Sequence, residues 1–301
     1  GDDRASAPIP WLQAVLPNDA AGTPGRPLVL LKVLDPSPDE VIGDLYFELH
    51  AEKREVYVVT HVDSRAWPDG TGYIRYGFCP ERIAAAGSEA AFRQAYRNAV
   101  AAYEAVRRRI DGVTDPNTVP SHLREEELRL REAMDAFTYR RPLRVGDVVV
   151  VPLNMPHSLQ HGVRTIEFQT PVYERKILSF AQRVLTQDHW DTEEAVAMMR
   201  LQPPEPAPFE RLPAGAGVCC ERIVDFEDFE VRRVRIAPGA ACRLECDDSY
   251  SLVMGVEGRF AVSGVSIGPE QALLLPAGTP AEITADGSAG PLVLLQALPR
   301  T

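Results

Sequence analysis

The chain has 301 residues, of which 45% are hydrophobic, so it is long enough for two packed domains with sizeable cores. Its 43 acidic and 32 basic side chains give a formal net charge of -11, which disfavours an extended nucleic-acid-binding surface but allows a local basic pocket for a small phosphate. No stretch is long and apolar enough to cross a membrane, and an odd number of cysteines with an adjacent Cys219-Cys220 pair favours reduced thiols in the cytoplasm.

The first part of the chain is dominated by strand patterns. Residues 27–33 and 56–62 are rich in aliphatic, β-branched and aromatic side chains, which predicts two buried strands. A different pattern follows Pro80, because apolar residues between Phe92 and Ile110 recur at steps of three and four. This spacing predicts an amphipathic helix.

The ends of that helix are marked by a plausible N-cap at Ser88 and a stop at Gly112. A second charged helix is predicted over residues 122–137, after a turn-rich segment. Residues 80–137 are therefore predicted to be a helical insertion between β segments.

Strand patterns return at residues 145–151 and 163–169, followed by a predicted short helix at 192–199. The proline-rich run at 203–208 predicts a stiff linker. Beyond it lie further short strand patterns, each bounded by turn residues, at 229–236, 250–256, 272–275 and 292–297.

These patterns predict a mainly β fold with two barrels or sandwiches. The first is expected from residues 1–79 and 138–202, interrupted by the helical insertion, and the second from residues 214–301. Residues 203–213 are expected to link them.

Side chains that can bind a metal occur at two separated positions. Glu48 and His50 are two residues apart on a predicted strand, so they point to the same face, and a tight turn through residues 51–54 can bring Glu55 back to meet them. Far downstream, a turn glycine, a buried strand and Pro152 precede His157. We therefore predict that Glu48, His50, Glu55 and His157 bind one divalent ion.

This pair of motifs resembles the cupin superfamily, in which a His-x-His, three or four residues and Glu are followed later by Gly, five residues, Pro and His. Within it the chain is most similar to the type I phosphomannose isomerase family, which has Gln-x-His where this chain has Glu48 and His50. Lys53 and Glu55 resemble the Lys-x-Glu element of that family. His157, Gly162, Glu167 and Arg175 follow in the order of its later motifs. The resemblance covers most of residues 27–200.

The resemblance implies two cupin (jelly-roll) β-barrels and a metal-dependent isomerase that interconverts mannose 6-phosphate and fructose 6-phosphate. It implies one divalent ion, zinc first, with manganese, iron or nickel also compatible with nitrogen and oxygen ligands. Lys53 and Arg175 would bind phosphate or stabilise oxyanion charge, and Glu167 would be a proton-transfer base. Glu48 departs from the family's glutamine, and a second carboxylate would weaken the Lewis acidity of the ion.

Other interpretations remain open at this point. Each candidate could be an ordinary polar residue. Glu167, for example, could pair with Arg164 or Arg175. The run from Arg107 to Arg109 could border an anion pocket or form the solvent-exposed face of a helix. The protein could also be a different metal cupin enzyme, such as an oxygenase or another sugar isomerase, or a non-catalytic sugar-binding or regulatory protein. Ala281 stands where the second barrel would need a histidine, so that barrel is expected to bind no metal and to play a structural role. We expect packing or surface roles for the remaining histidines singled out, which are His61, His161 and His189.

Overall fold

The structure, a computed structural model, describes residues 29–246, 249–285 and 290–300. The expectations for residues 1–28, 247–248, 286–289 and 301 lie outside the described residues. The chain divides into two compact units. The first unit comprises residues 34–165 and 172–206, and the second comprises residues 166–171, those from 207 onward and the described start of the chain. The change of unit at residue 206 falls within the segment expected to be a linker.

The first unit contains most of its strands in a five-stranded sheet. The strands of the first unit are β2 Phe47–Leu49, β3 Glu55–Val62, β4 Gly72–Phe78, β5 Thr138–Leu143, β6 Val148–Val151, β7 His157–Leu159 and β9 Lys176–Ser179. The five-stranded sheet has the order β5-β4-β7-β2-β9, and the antiparallel pair β3 and β6 belongs to a second sheet. Two further strands, β1 (Leu30–Leu34) and β8 (Val163–Gln169), each contain residues of both units.

The predicted helical insertion is confirmed. It consists of α1 (Pro80–Ala85), α2 (Glu89–Asp111), a single turn of 3-10 helix at Pro116–Thr118 and α3 (Ser121–Asp135). Ser88 caps α2 by accepting a hydrogen bond from the backbone N–H of Ala91 at 3.2 Å, as its position in the sequence predicted. A short helix, α4 (Thr192–Met198), follows β9.

Two apolar clusters fix the faces of the five-stranded sheet. Phe47 and Leu49 of β2 pack with the buried face of α2, while a second cluster joins side chains of β3 and β6 to those of β4 and β7. Since successive side chains of a strand point to opposite faces, Glu48 lies on the face away from the helices. The two sheets therefore enclose the space into which Glu48 points.

The second unit has two facing sheets with an apolar core between them. One sheet has the order β10-β11-β12-β19-β14-β17 and the other the order β13-β18-β15-β16. The bounds are β10 Glu210–Leu212, β11 Val218–Asp225, β12 Phe229–Ile236, β13 Ala241–Leu244, β14 Ser251–Glu257, β15 Phe260–Val262, β16 Val265–Ile267, β17 Ala272–Leu275, β18 Ala281–Ala285 and β19 Leu292–Pro299. Ala281 is buried in this apolar core.

The mainly β prediction is confirmed, but one detail of it is wrong. The strand predicted at residues 27–33 is observed as β1, yet none of its residues is fully buried and Val33 is 40% exposed. Its apolar run suggested a strand covered on both faces. In the structure β1 is the edge strand of its sheet, beside β8, so it is covered less completely than an inner strand. Among the described residues, no helix combines the length and apolar character needed to cross a membrane.

The arginines and histidines outside the two metal-binding motifs have the following surroundings. Three consecutive arginines near the C-terminal end of α2 pair with acidic side chains: Arg107 with Asp111, Arg108 with Glu104 and Arg109 with Glu126. His161 packs against Trp67 at 4.6 Å between ring centroids, and His61 and His189 are exposed.

Candidate metal centre

Glu48 and His157 are brought together by strand pairing. β2 and β7 are antiparallel neighbours in the five-stranded sheet, and Glu48 lies directly opposite His157 in their register. Directly opposed residues of an antiparallel pair have Cβ atoms about 4.5–5.5 Å apart, so their side chains share one face of the sheet. This pairing joins the two motifs that the sequence separates.

Both histidines are oriented by backbone carbonyl groups. His50 Nδ1 lies 2.8 Å from the carbonyl oxygen of Glu174, and His157 Nδ1 lies 2.9 Å from that of Met155. A ring whose Nδ1–H donates to a carbonyl presents its Nε2 lone pair as a metal ligand. The tautomer that each contact favours is therefore the one that a metal site requires.

Three ligand atoms converge in this space. One atom each from Glu48, His50 and His157 lies within 4.8 Å of the other two. Within the described part of the chain, two buried polar atoms at the site, His50 Nε2 and Glu48 Oε2, have no hydrogen-bond partner. Buried polar atoms without a partner are uncommon in folded proteins. These atoms, together with a mixed nitrogen and oxygen donor set, fit a divalent ion.

Glu55 approaches from the opposite sheet, at the first position of β3. Its Oε2 is 3.1 Å from His157 Nε2, and its Oε1 is 3.6 Å from His50 Nε2. Tyr57 donates a hydrogen bond to Oε2 at 2.7 Å, and Lys53 Nζ is 2.5 Å from Oε1. The carboxylate thus faces both histidines and is held in place by two donors.

The buried charges shift the pKa values of these groups. Burial lowers the pKa of His50 to about 3, which keeps its ring neutral near pH 7. Burial also raises the pKa of Glu48. Burial opposes ionisation of Glu55 and His157 as well, but their mutual hydrogen bond and opposite charges lower the pKa of Glu55 and raise that of His157. An ion and a proton therefore compete for Nε2 of His157.

The two cations expected at the site have different surroundings. Lys53 is 9% exposed and paired with Glu55. The Arg175 guanidinium lies over the rings of Tyr46 and Tyr173, at 5.4 and 5.3 Å from their centroids, and its Nε is 3.7 Å from Glu48 Oε2. Lys53 and Arg175 therefore both border the candidate ligand set.

Glu167 belongs to a different unit from the other expected site residues. It is buried in the part of β8 that belongs to the second unit, and its Oε1 accepts a hydrogen bond from Lys32 Nζ at 3.2 Å. Arg164, which the sequence suggested as a partner of Glu167, forms an ion pair with Asp35 at 2.6 Å. The role of Glu167 as a base stays a prediction.

Two residues at this site were missed by the sequence analysis. Glu174 contacts His50 and the backbone of the following turn, and Tyr57 donates to Glu55. Tyr57 could have been found, because it is two residues from Glu55 on the same strand and therefore shares its face. Glu174 gives no comparable local signal, since its contacts are with residues far away in the chain.

No protein-family model matches the sequence, and no curated protein matches it significantly. Solved structures do match. Mannose 6-phosphate isomerase from Bacillus subtilis is 16% identical with a TM-score of 0.61, over 89% of this chain and 74% of that one. A variant of phosphomannose isomerase from Salmonella typhimurium is 11% identical with a TM-score of 0.64, over 99% and 87% of the two chains.

A zinc-bound mannose 6-phosphate isomerase is 12% identical with a TM-score of 0.64, and the match covers 94% of this chain and 83% of that one. The chain therefore has the fold of the phosphomannose isomerases, and the expectation of a cupin-type fold is confirmed.

Proposed function

We propose that this protein is a metal-dependent aldose-ketose isomerase that interconverts mannose 6-phosphate and fructose 6-phosphate. The observation that carries the proposal is the convergence of Glu48, His50 and His157 between the sheets of the first unit. The fold supports the same conclusion, because structures that share it include a zinc-bound mannose 6-phosphate isomerase.

Four residues would hold the ion: Glu48, His50, Glu55 and His157. Zinc is the proposed metal, and manganese, iron and nickel are chemically compatible with the same donors. A bound divalent ion would act as a Lewis acid that polarises the oxygen atoms on carbons 1 and 2 of the sugar. Since Glu48 and Glu55 together neutralise a divalent charge, we expect tight binding at a moderate Lewis acidity.

The remaining chemistry is assigned to side chains of the protein. The isomerisation moves a proton between carbons 1 and 2 through a cis-enediol. Lys53 and Arg175 are the proposed cations that stabilise the oxyanion or bind the phosphate, and both border the candidate ligand set. We retain Glu167 as the proposed base that moves the proton.

The test is a coupled assay of mannose 6-phosphate conversion to fructose 6-phosphate. Protein stripped with a chelator and then reloaded with zinc is expected to show turnover that the stripped protein lacks. His157→Ala should abolish this turnover, while His189→Ala, which changes an exposed histidine, should not. Absence of turnover in zinc-, manganese-, iron- and nickel-loaded protein would refute the isomerase assignment.

The second candidate is another metal cupin enzyme, an oxygenase or a different sugar isomerase. It is favoured by Glu48, because a carboxylate replaces a neutral ligand at that position. Oxygen uptake by iron- or nickel-loaded protein would support the oxygenase. Thermal stabilisation by a sugar phosphate that is recovered unchanged would instead support a non-catalytic sugar-binding protein.

A further inference from the structure

Glu174 contacts the candidate metal centre through both its backbone and its side chain. Its carbonyl oxygen is 2.8 Å from His50 Nδ1. Its carboxylate Oε2 accepts hydrogen bonds from the backbone N–H groups of Ala51 at 2.8 Å and Glu52 at 3.2 Å. One residue therefore fixes the ring of His50 and the two residues that follow it.

The contacted turn connects the first two ligand positions to the third. Residues 51–54 lead from the end of β2 to Glu55 at the start of β3, and the two strands belong to different sheets. The turn also carries Lys53, which pairs with Glu55. A carboxylate that accepts two backbone N–H groups forms charge-assisted hydrogen bonds, which are stronger than neutral ones. The path of this turn is thus set by Glu174.

The neighbours of Glu174 in the chain contact the same site. The Arg175 guanidinium lies over the rings of Tyr46 and Tyr173, and its Nε is 3.7 Å from Glu48 Oε2. The segment 173–175 therefore contacts three parts of the site: the ring of His50, the turn that follows it and the carboxylate of Glu48. The position of Arg175 and the position of the metal ligands depend on one short segment.

We propose that Glu174 is a positioning residue for the metal centre, and that its carboxylate holds the 51–54 turn in the path that brings Glu55 to the two ligand histidines. This inference rests on the proposed metal site but not on the identity of the substrate. Side chains that orient metal ligands commonly change metal affinity by about 10- to 100-fold when they are removed. The carbonyl contact to His50 is made by the backbone, so a substitution tests the carboxylate and the turn it holds.

The experiment compares Glu174→Ala, Glu174→Gln and the wild-type protein. Zinc affinity is measured by competition with a chromophoric chelator, and ligand geometry by the visible absorption spectrum of the cobalt-substituted protein. Glu174→Ala is expected to weaken zinc binding by about 10- to 100-fold and to change the cobalt spectrum. Glu174→Gln retains an oxygen acceptor for the turn, so it should stay within about threefold of wild type.

The matched control is Glu194→Ala, which removes a carboxylate that pairs with Lys176 at 2.7 Å on the neighbouring strand. It should leave zinc affinity and the cobalt spectrum unchanged. If Glu174→Ala does not fold, Glu174→Asp serves in its place, because the acceptor is withdrawn by one methylene while the charge is kept, and the same direction of loss is expected.

The outcomes separate this inference from the proposed function. Wild-type affinity and spectrum in a folded Glu174→Ala or Glu174→Asp variant would overturn the role of Glu174, and so would a wild-type protein that binds no zinc. A wild-type protein that binds zinc without isomerase turnover would overturn the proposed reaction alone. Loss of affinity in Glu174→Ala with recovery in Glu174→Gln would support the inference in either case.

Discussion

Glu48 and His157 lie directly opposite each other on paired antiparallel strands, so the register of β2 against β7 fixes one edge of the candidate metal centre. A shift of one residue in this register would turn either side chain to the opposite face of the sheet. The apolar neighbours Phe47 and Leu49 prevent such a shift, because they are buried against the helical insertion. Packing on one face of the sheet therefore positions the ligands on the other.

Glu48→Gln tests whether the negative charge of Glu48 strengthens zinc binding. Loss of the negative charge should raise the zinc dissociation constant by roughly tenfold, since a charged oxygen donor is replaced by a neutral one. Chelator competition measures the change. Glu52→Gln, an exposed carboxylate on the adjacent turn, is the control. Equal zinc affinity in the two variants would show that the negative charge of Glu48 does not contribute to holding the ion.

Lys53→Met tests the role of the buried ammonium group. If Lys53 stabilises negative charge that develops on the substrate, kcat should fall by about 100-fold or more. Zinc affinity should be unchanged or higher, because Glu55 loses its cationic partner. The control is Lys176→Met, which removes an ammonium group paired with Glu194. A kcat equal to that of wild type would rule out the proposed role.

The sequence predicted the site residues whose positions follow from local periodicity. Glu48 and His50 share a face because strands alternate, and Glu55 returns because the intervening turn is short. The contribution of Glu174 could not be predicted in this way, since its contacts to His50 and Ala51 depend on how distant segments pair. The exposure of Val33 could not be predicted from the local sequence either, because the composition of a strand does not reveal whether it lies at the edge of a sheet.

Ser88→Ala tests how much the N-cap of α2 contributes to the stability of the protein. The Ser88 side chain accepts the N–H of Ala91, so its loss should lower the free energy of unfolding by about 1 kcal/mol. Urea denaturation followed by circular dichroism measures this change. Ser88→Asp retains an acceptor at the N-cap and should be close to wild type. Equal stability of the alanine and aspartate variants would contradict the capping role.

Cys242 is expected to be a poorly reactive thiol. Burial raises its pKa to about 11, so at pH 8 its thiolate fraction should be at least about tenfold below that of an ordinary cysteine. Since the thiolate is the nucleophile, the rate of alkylation should rise about tenfold for each pH unit up to that pKa. Site-resolved mass spectrometry of iodoacetamide labelling measures the rate, with glutathione as the reference thiol. A rate at pH 8 equal to that of glutathione would contradict the expected shift.

The most direct test of the metal centre is anomalous X-ray scattering from crystals of zinc-loaded protein, recorded on both sides of the zinc absorption edge. We predict one strong peak at about 2.0–2.2 Å from a carboxylate oxygen of Glu48 and of Glu55 and from the Nε2 atoms of His50 and His157. Crystals of the His50→Ala variant, loaded in the same way, should lose the peak or show it much weakened. A zinc peak elsewhere in the wild-type protein, with the space between these four side chains empty, would contradict the central claim.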